Sequence, residues 1–293
     1  MEAAARNKGR LSVAVAYPCS ADSLAAALAA HEEGMIDPIL VGPRQRIESL
    51  AAGLKTSLDG LRLVETEDDH ALASRKAVAM AGAGEAQAIM KGSQHTEELM
   101  SAVVARDANM RAAKRMSHVF WFDLPAYHKP LMMTDAVVNI LPSLDDKAII
   151  LDNVVAFCHT IGIPEPKIAL LSAVEYVNPH IPSSVDAGEL AKMAKAGRFP
   201  KAMVDGPFGF DNAVSKAAAV TKGITSPVAG DPDVLMVPNL DVGNTLYKSF
   251  TYIGGGECAG VILGARVPVI LTSRADSRRA RIASCALAQL SLS

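Results

Sequence analysis

The chain has 293 residues, of which 50% are hydrophobic and only 4% are aromatic, and its formal net charge at pH 7 is −2. This length suffices for two domains of ordinary size, and the lack of a basic excess argues against nucleic-acid binding. No apolar run approaches the roughly 20 residues that span a bilayer, and the apolar segment Leu11–Tyr17 is too short for a signal sequence. We therefore expect a cytoplasmic protein that binds neither a membrane nor nucleic acid.

Short apolar segments alternate with helical periods along the whole chain. Strands are expected at Ser12–Ala16, Pro38–Val41, Leu61–Val64, Ala88–Lys91, His118–Phe122, Leu131–Thr134, Lys167–Leu171, Met203–Asp205, Val234–Val237, Ala259–Leu263 and Val267–Leu271. Helices are expected at Ser20–Glu33, Asp69–Ala81, Thr96–Arg111, Asp145–Ile161, Asp186–Ala196 and Val242–Tyr252, and after Ser277 to about Leu290. Near-continuous apolar strands joined by helical crossovers predict an α/β protein whose mostly parallel sheets are covered on both faces.

A domain boundary is expected near Arg115–Ser117, after the fourth strand–helix unit. We expect residues 1–116 together with 272–293 to form a first α/β domain, and residues 117–271 to form a second. The terminal helix then returns to the first domain, which places the corner at 272–276 at a hinge, where ligand clefts are common.

The four cysteines and seven histidines show no spacing typical of a metal site. The cysteines are scattered without a CxxC pair, which favours free thiols in a reducing compartment. The histidines form neither an HExxH nor an HxH motif. We therefore expect no bound metal.

The last expected strand leads directly into polar residues and then into a helix. Because free backbone N–H groups at a helix N-terminus favour an anion, and Arg274 offers a planar fork for phosphate oxygens, this corner is interpreted as the anion end of an active site. A purely structural alternative stays open, since Ser273 and Asp276 have the spacing of a capping box.

Three other strand ends carry polar residues, and ligands gather at the carboxyl ends of parallel strands. Each end also has a structural alternative: a capped loop with a solvated lysine at the first, a turn and a helix cap at the second, and a structural loop at the third. The candidate substrate-binding residues are Lys91 and Gly92 at the first end, Asp205 at the second, and Asn239, Gly243, Asn244 and Lys248 at the third.

Taken together and in this order, these segments resemble the phosphate acetyltransferase/phosphate butyryltransferase family over nearly the whole chain. The matching segments are Met90-Lys91-Gly92, Asp205-Gly206-Pro207, Pro238-Asn239, Gly243-Asn244, Tyr247-Lys248, Gly260 with Gly264, and Leu271-Thr272-Ser273-Arg274-Ala275-Asp276-Ser277. The resemblance implies two α/β/α domains flanking a cleft, as in isocitrate/isopropylmalate dehydrogenases, and usually a homodimer or larger homo-oligomer. It also implies transfer of an acetyl or butyryl group between coenzyme A and inorganic phosphate, with no tightly bound cofactor.

The sequence departs from the acetyltransferase branch of that family at two places. An aspartate that the branch carries about six residues after the serine would fall near Ala280, whereas the acidic group here is Asp276. A functional arginine of the branch would fall near Met100–Ser101, which is not basic. The local sequence around Lys91 and from Thr272 to Ser277 resembles the butyryltransferase branch more than the acetyltransferase branch.

The expected catalytic residues are Ser273, Arg274 and Asp276. Arg274 is expected to bind the phosphate and Ser273 to donate a hydrogen bond to the tetrahedral oxygen. Asp276 lies among arginines in an expected first helical turn, which favours its ionised form, so we expect it to orient Arg274 or cap the helix rather than act as a base. Two alternatives remain open: a metal- and NAD-dependent dehydrogenase on the related fold, and a non-catalytic protein that binds acyl-CoA or phosphate.

Overall fold

A computed structural model describes residues 2–271 and 277–292, and these residues form alternating strands and helices. The strands are β1 (Leu11–Ala16), β2 (Ile36–Gly42), β3 (Arg62–Glu65), β4 (Ala88–Lys91), β5 (Ser117–Asp123), β6 (Leu131–Thr134), β7 (Lys167–Leu171), β8 (Met203–Phe208), β9 (Val234–Met236), β10 (Glu257–Leu263) and β11 (Val269–Ile270). The helices are α1 (Glu2–Arg6), α2 (Ala21–Glu32), α3 (Arg44–Gly53), α4 (His70–Gly82), α5 (Thr96–Val104), α6 (Leu144–Thr160), α7 (Pro182–Lys195), α8 (Phe210–Val214), α9 (Lys216–Thr221), α10 (Leu240–Tyr252) and α11 (Arg278–Leu290).

The chain forms two compact units, residues 1–112 with 259–293 and residues 113–258. These bounds differ from the sequence-based domains at the second boundary, which was placed after residue 271. The reason is the pairing of β11, which lies parallel to β4 with Ile270 opposite Met90, and antiparallel to β10. Residues 259–271 therefore belong with the first unit.

The sheet of the first unit has the strand order β3-β2-β1-β4-β11-β10 and is parallel except for β10. Its central strands are buried along nearly their whole length, which explains their continuous apolar sequence. Helix α2 begins at a capping box in which Ser20 and Ser23 satisfy each other's backbone N–H groups. The sequence-based strands and helices of this unit are present, with the exception of one helix end.

That exception is α5, expected to reach Arg111 but ending at Val104. Asn109 adopts a left-handed backbone with φ of 50°, and the Arg111 Nη2 donates to the Val104 carbonyl at 2.9 Å. Arg111 also forms an isolated antiparallel bridge with Ala265. The segment after Val104 is therefore held by tertiary contacts that local periodicity does not reveal.

The sheet of the second unit has the order β5-β6-β9-β7-β8, in which only β5 is antiparallel to its neighbour. Its core packs Phe120, Phe122 and Leu235 with the face of α10 that carries Tyr247 and Phe250. The Tyr247 ring stacks on Phe120 with centroids 4.4 Å apart, and the Phe250 ring meets Phe122 edge-on. No helix in the described part of the chain is long and apolar enough to cross a bilayer.

Candidate active site

The carboxyl end of β4 holds the first of the sequence-predicted residues. Lys91 ends this strand and is only 6% exposed, and its Nζ donates to the carbonyl oxygens of Gly92 and Gln94 at 3.3 and 3.2 Å. The solvated lysine considered from the sequence is therefore not observed. Its positive charge is instead fixed at the strand end, the place where open parallel sheets bind ligands.

Gly92 follows Lys91 where two strand ends come unusually close. A Cβ atom at this position would lie 2.3 Å from the carbonyl oxygens of Ala16 and Tyr17, so only glycine fits. The Gly92 N–H donates to the Ala16 oxygen at 2.9 Å, and Ser93 donates to the Tyr17 oxygen through its N–H and Oγ at 2.9 and 3.0 Å. The segment after Lys91 is thus tied directly to the end of β1.

A polar cluster at the end of β1 was missed by the sequence analysis. The Tyr17 hydroxyl donates to Asp68, and Arg46 Nη1 donates to Tyr17 at 2.9 Å and to Asp68 at 3.2 Å. The His70 ring meets the Tyr17 ring edge-on at 4.3 Å, and its Nδ1 lies 3.1 Å from Glu98. Burial, followed by the hydrogen bond to Asp68, raises the pKa of Tyr17 to about 12, so the phenol stays protonated as a donor.

In the second unit, a cavity of about 810 Å³ opens at the carboxyl ends of β7 and β9. The first residues of α6, α7 and α10 also border it, and Asn239 is the sequence-predicted residue that lines it. Asn239 caps α10, because its Oδ1 accepts from the Val242 N–H at 3.0 Å. The lining residues are Leu141, Pro142, Ser143, Asp146, Lys147, Leu171, Ser172, Ala173, Pro182, Ser183, Asp186, Phe210, Pro238, Asn239, Val242 and Leu246.

Helix α10 carries three further candidates, and the structure places none of them on this cavity. A Cβ at Gly243 would lie 2.8 Å from the Cα and Cβ of Ala136, so this glycine lets α10 pack against the segment after β6. Val242 and Leu246 line the cavity, whereas Asn244 and Lys248 are each two positions further along the helix. Two positions turn a helix by about 200°, so Asn244 and Lys248 lie on a different side of α10.

Asp205 does not end a strand, contrary to the sequence-based expectation. Strand β8 continues to Phe208 through a register shift against β7. Gly206 is required in this segment, because it has φ of +153° and a Cβ there would lie 2.7 Å from the Leu170 oxygen. Asp205 Oδ1 accepts from the Gly206 N–H at 3.0 Å, so the carboxylate supports the irregular segment locally.

A buried carboxylate directly after β6 was also missed. Asp135 is 3% exposed, and its Oδ1 accepts from the N–H groups of Val137 and Val138 at 3.0 Å. Its Oδ2 accepts from the Asn139 N–H and side-chain amide. Burial raises the pKa of Asp135, although these donors act in the opposite direction. A polar residue immediately after an apolar strand is the signal that would have identified it.

The three expected catalytic residues, Ser273, Arg274 and Asp276, lie outside the described residues. The helix that follows them is described from its cap onward. Ser277 is the N-cap of α11, and its Oγ accepts from the Ala280 N–H at 3.0 Å. Within residues 2–271 and 277–292, no group of three or more histidine, cysteine, aspartate or glutamate side chains is arranged to hold a metal ion.

Comparison with known proteins gives one consistent result. A family model described as phosphate acetyl/butaryl transferase matches residues 70–289. A phosphate acetyltransferase from Rhizobium meliloti is 46% identical over 288 residues, which are 98% of this chain and 91% of the relative. A phosphate butyryltransferase from Clostridium acetobutylicum is 38% identical over 285 residues, covering 97% and 94% of the two chains.

A solved structure extends the similarity to three dimensions. The crystal structure of a branched-chain phosphotransacylase from Enterococcus faecalis V583 is 32% identical to this chain. It superposes with a TM-score of 0.84 and covers 96% of this chain and 98% of its own. The similarity therefore includes both compact units.

Proposed function

The chain belongs to the phosphate acetyl/butaryl transferase family, and from this premise we propose how its residues carry out the reaction. It is a phosphate acyltransferase, which moves an acyl group between coenzyme A and inorganic phosphate and forms an acyl phosphate. The observation that carries this conclusion is the full-length similarity to relatives named for both acetyl and butyryl transfer. The metal- and NAD-dependent dehydrogenase considered from the sequence is not favoured by these relatives.

We propose that the acyl group passes directly between the two substrates while both are bound. In one direction the coenzyme A thiolate attacks the carbonyl carbon of the acyl phosphate, a C–S bond forms, and the bond from that carbon to the phosphate oxygen breaks. In the other direction a phosphate oxygen attacks the thioester carbonyl and the thiolate leaves. Both directions pass through a tetrahedral oxyanion, which well-placed hydrogen-bond donors stabilise.

We assign the phosphate to Arg274 and the oxyanion to Ser273, with Asp276 orienting the arginine. In the first unit, Lys91 and Gly92 are assigned to substrate binding, and the support for this is the buried position of Lys91 at a strand end. In the second unit, Asn239, Asn244 and Lys248 are assigned to substrate binding on the sequence resemblance. Asp205 and Gly243 contribute to it by shaping the backbone around them.

The test is the absorbance of the thioester formed from coenzyme A and either acetyl or butyryl phosphate. Removing one oxyanion-hole donor typically costs about 10²–10³ in kcat, so Ser273→Ala and Arg274→Gln should each lower kcat/KM at least a hundredfold. Ser215→Ala is the matched control. It removes the cap of α9 and about 1 kcal/mol of stability but leaves turnover near the wild-type rate. Full activity of folded Ser273→Ala and Arg274→Gln would contradict the assignment.

Assembly and location are proposed as well. We propose a homodimer or larger homo-oligomer, supported by exposed large apolar residues such as Ile140, Val220 and Ile253, whose exposed fractions are 73%, 71% and 88%. Light scattering that gives the mass of a monomer at micromolar concentration would contradict it. A cytoplasmic location is proposed because all four cysteines are free thiols. Coenzyme A is assigned as a substrate, with no tightly held cofactor.

A further inference from the structure

The loop of residues 136–142 joins β6 to the cap of α6, and its two largest apolar side chains do not hold it in place. Ile140 and Leu141 are 73% and 79% exposed, whereas Ala136 and the polar Asn139 are buried. Exposed apolar side chains gain little from the hydrophobic effect. The conformation of this loop therefore depends on hydrogen bonds.

The carboxylate of Asp135, directly before the loop, is the main acceptor of these hydrogen bonds. Its Oδ1 accepts from the N–H groups of Val137 and Val138 at 3.0 Å, and its Oδ2 accepts from the backbone N–H of Asn139 at 3.2 Å and from the Asn139 side-chain amide. An ionised carboxylate offers about four lone-pair sites, and four N–H donors meet them here. These charge-assisted bonds offset the cost of burying the carboxylate and wrap the start of the loop around it.

Asn139 carries the network from the loop to α6. Besides its bond to the carboxylate, its Nδ2 donates to the Met116 carbonyl at 2.9 Å, and its Oδ1 accepts from Arg115 Nη1 at 2.9 Å. The Nε of the same arginine lies 2.6 Å from Asp146 Oδ1. Asp146 belongs to the capping box of α6, so the loop is connected to the first turn of that helix.

The loop also contacts the first turns of α10. The Ile140 carbonyl accepts from the Leu240 N–H at 3.0 Å. A Cβ at Gly243 would lie 2.8 Å from the Cα and Cβ of Ala136, so the helix backbone lies directly against the start of the loop. Asn239, the cap of α10 and a residue assigned above to substrate binding, immediately precedes Leu240. The loop thus contacts the helix beside this residue.

We propose that Asp135 and Asn139 are positioning residues for substrate binding, which act through the 136–142 loop to fix the first turns of α6 and α10 and so to place Asn239. The proposal rests on the proposed function, because the substrate-binding role of Asn239 belongs to it. Neither Asp135 nor Asn139 lines the cavity beside Asn239, so their effect on a substrate passes through the loop. Apolar side chains of similar shape could fill the same space without burying a charge, and a requirement for one loop geometry explains why polar groups stand there.

The first variant, Asp135→Asn, replaces one carboxylate oxygen with an NH₂ group that faces N–H donors. Because it leaves buried donors without an acceptor, it also tests whether the second unit still folds. A milder variant, Arg115→Met, removes only the link between Asn139 and Asp146. The Arg115 side chain is 41% exposed, so this variant keeps the buried carboxylate and its four donors intact.

The matched control is Arg198→Met. The Arg198 side chain is 47% exposed and pairs with Asp152, in the middle of the same helix α6, with Nη1 2.6 Å from Oδ1. Both arginine variants therefore remove a half-exposed ion pair to α6, but only Arg115 is connected to the loop. Since exposed pairs stabilise weakly, each should lower the thermal midpoint by no more than about 4 °C.

Steady-state thioester formation then gives kcat and the KM of coenzyme A and of butyryl phosphate for each variant. Arg115→Met should raise the KM of one substrate at least fivefold and keep kcat within twofold of wild type, because a displaced binding residue weakens ground state and transition state alike. Asp135→Asn should raise the same KM at least tenfold, and Arg198→Met should change neither KM. The double variant should raise this KM by less than the product of the two single effects, since both act through one network.

The results that would overturn the proposal differ in what else they affect. If the wild type forms thioester and Arg115→Met shifts neither KM more than Arg198→Met does, the positioning role is wrong and the proposed function stands, whether or not Asp135→Asn folds. A fall in kcat alone, or a loss of thermal stability with both KM values unchanged, contradicts the positioning role in the same way. If the wild type forms no thioester from acetyl or butyryl phosphate, the proposed function is wrong and the positioning role falls with it.

Discussion

The closest backbone approach at the candidate site predicts that Gly92→Ala is strongly harmful. The added Cβ would lie 2.3 Å from the carbonyl oxygens of Ala16 and Tyr17 and 2.6 Å from the Tyr17 carbonyl carbon. Ordinary contact with a Cβ begins at 3.4 Å, so the strand ends must separate by 3.4 − 2.3 = 1.1 Å. All three obstructing atoms belong to the backbone, and no rotation of a side chain can relieve the contact.

The magnitude follows from what must move. Overpacking a rigid site usually costs about 1–3 kcal/mol, and we expect the upper end because the hydrogen bonds from Gly92 and Ser93 to β1 stretch together. For a protein of this size, about 3 kcal/mol corresponds to a fall of roughly 6–12 °C in the thermal midpoint. A displacement of about 1 Å at a catalytic site can cost roughly 10²-fold in rate, so turnover should fall by that factor.

Thermal unfolding and thioester formation measure the two effects on the same preparation. Gly53→Ala is the control, because Gly53 ends α3 and a Cβ there has no atom within 4 Å. That substitution should leave turnover unchanged and stabilise the protein by about 0.5–1 kcal/mol. The reasoning is refuted if Gly92→Ala matches the wild type in both midpoint and turnover.

Three further predictions concern buried or partly buried polar groups of the second unit. Burial lowers the pKa of His118 to about 3, and neither ring nitrogen has a partner among the described residues. The unfolded chain therefore binds a proton at His118 more readily than the folded chain does. The stability that is present at pH 7 is lost as the pH falls from about 6.5 toward 3. His118→Phe should therefore flatten this loss in urea unfolding between pH 7 and 4, and a slope equal to wild type would contradict the reasoning. Burial alone would raise the pKa of Asp231, but hydrogen bonds from Lys167, Lys129 and His128 outweigh it and hold the pKa well below its usual range. That stability is present above about pH 4 and lost below it, so Asp231→Asn should lower stability at pH 7 and weaken the acid dependence, whereas an unchanged acid titration of unfolding would exclude this role. Asp186→Ala should destabilise the protein by about 3 kcal/mol in chemical denaturation, which is more than the loss from Lys147→Met. The reason is that Asp186→Ala leaves Lys147 without its counter-charge, and the Lys147 side chain is only 7% exposed, against 28% for Asp186. Equal losses of stability in the two variants would argue against this asymmetry.

The strands could be predicted well because their sequence signal is local. Ala88–Lys91, Leu131–Thr134 and Lys167–Leu171 match at both ends, since each is an apolar run bounded by residues that stop a strand. Helices α1, α3, α8 and α9 were missed. The polar start of α3 and the short length of the other three give too little periodicity to detect.

Errors arose where distant segments determine the structure. The pairing of β11 with β4 joins residues about 180 positions apart, and this pairing moved the second domain boundary. The fold class itself was confirmed by the mostly parallel sheets and by the similarity to a solved phosphotransacylase. An alternation of strands and helices is enough for the class, because it depends on order rather than on pairing partners.

The candidate site shows the same division. Inspecting strand ends singled out Lys91 and Asn239, because Lys91 is the last residue of β4 and Asn239 lies three residues after β9. The cluster around Tyr17 was missed because Arg46 and Asp68 come from separate segments that no motif connects. The sequence resemblance placed Asn239, Asn244 and Lys248 in one substrate-binding group. In the structure Asn239 lines the cavity, whereas Asn244 and Lys248 lie on a different side of α10.

Two of the close glycine contacts lie beside proposed substrate-binding residues. Gly92 brings the segment after Lys91 against β1, and Gly243 brings α10 against Ala136, so in each unit a missing Cβ fixes backbone beside a proposed substrate-binding residue. A free thiol has a pKa near 8.5 and is already a few per cent thiolate at pH 7, so a general base can raise its reactive fraction by less than about 10²-fold. Placing thiol and acyl phosphate together can contribute about 7–11 kcal/mol, a far larger effect. Rigid backbone that positions the two substrates therefore matters more for direct acyl transfer than a general base with a shifted pKa.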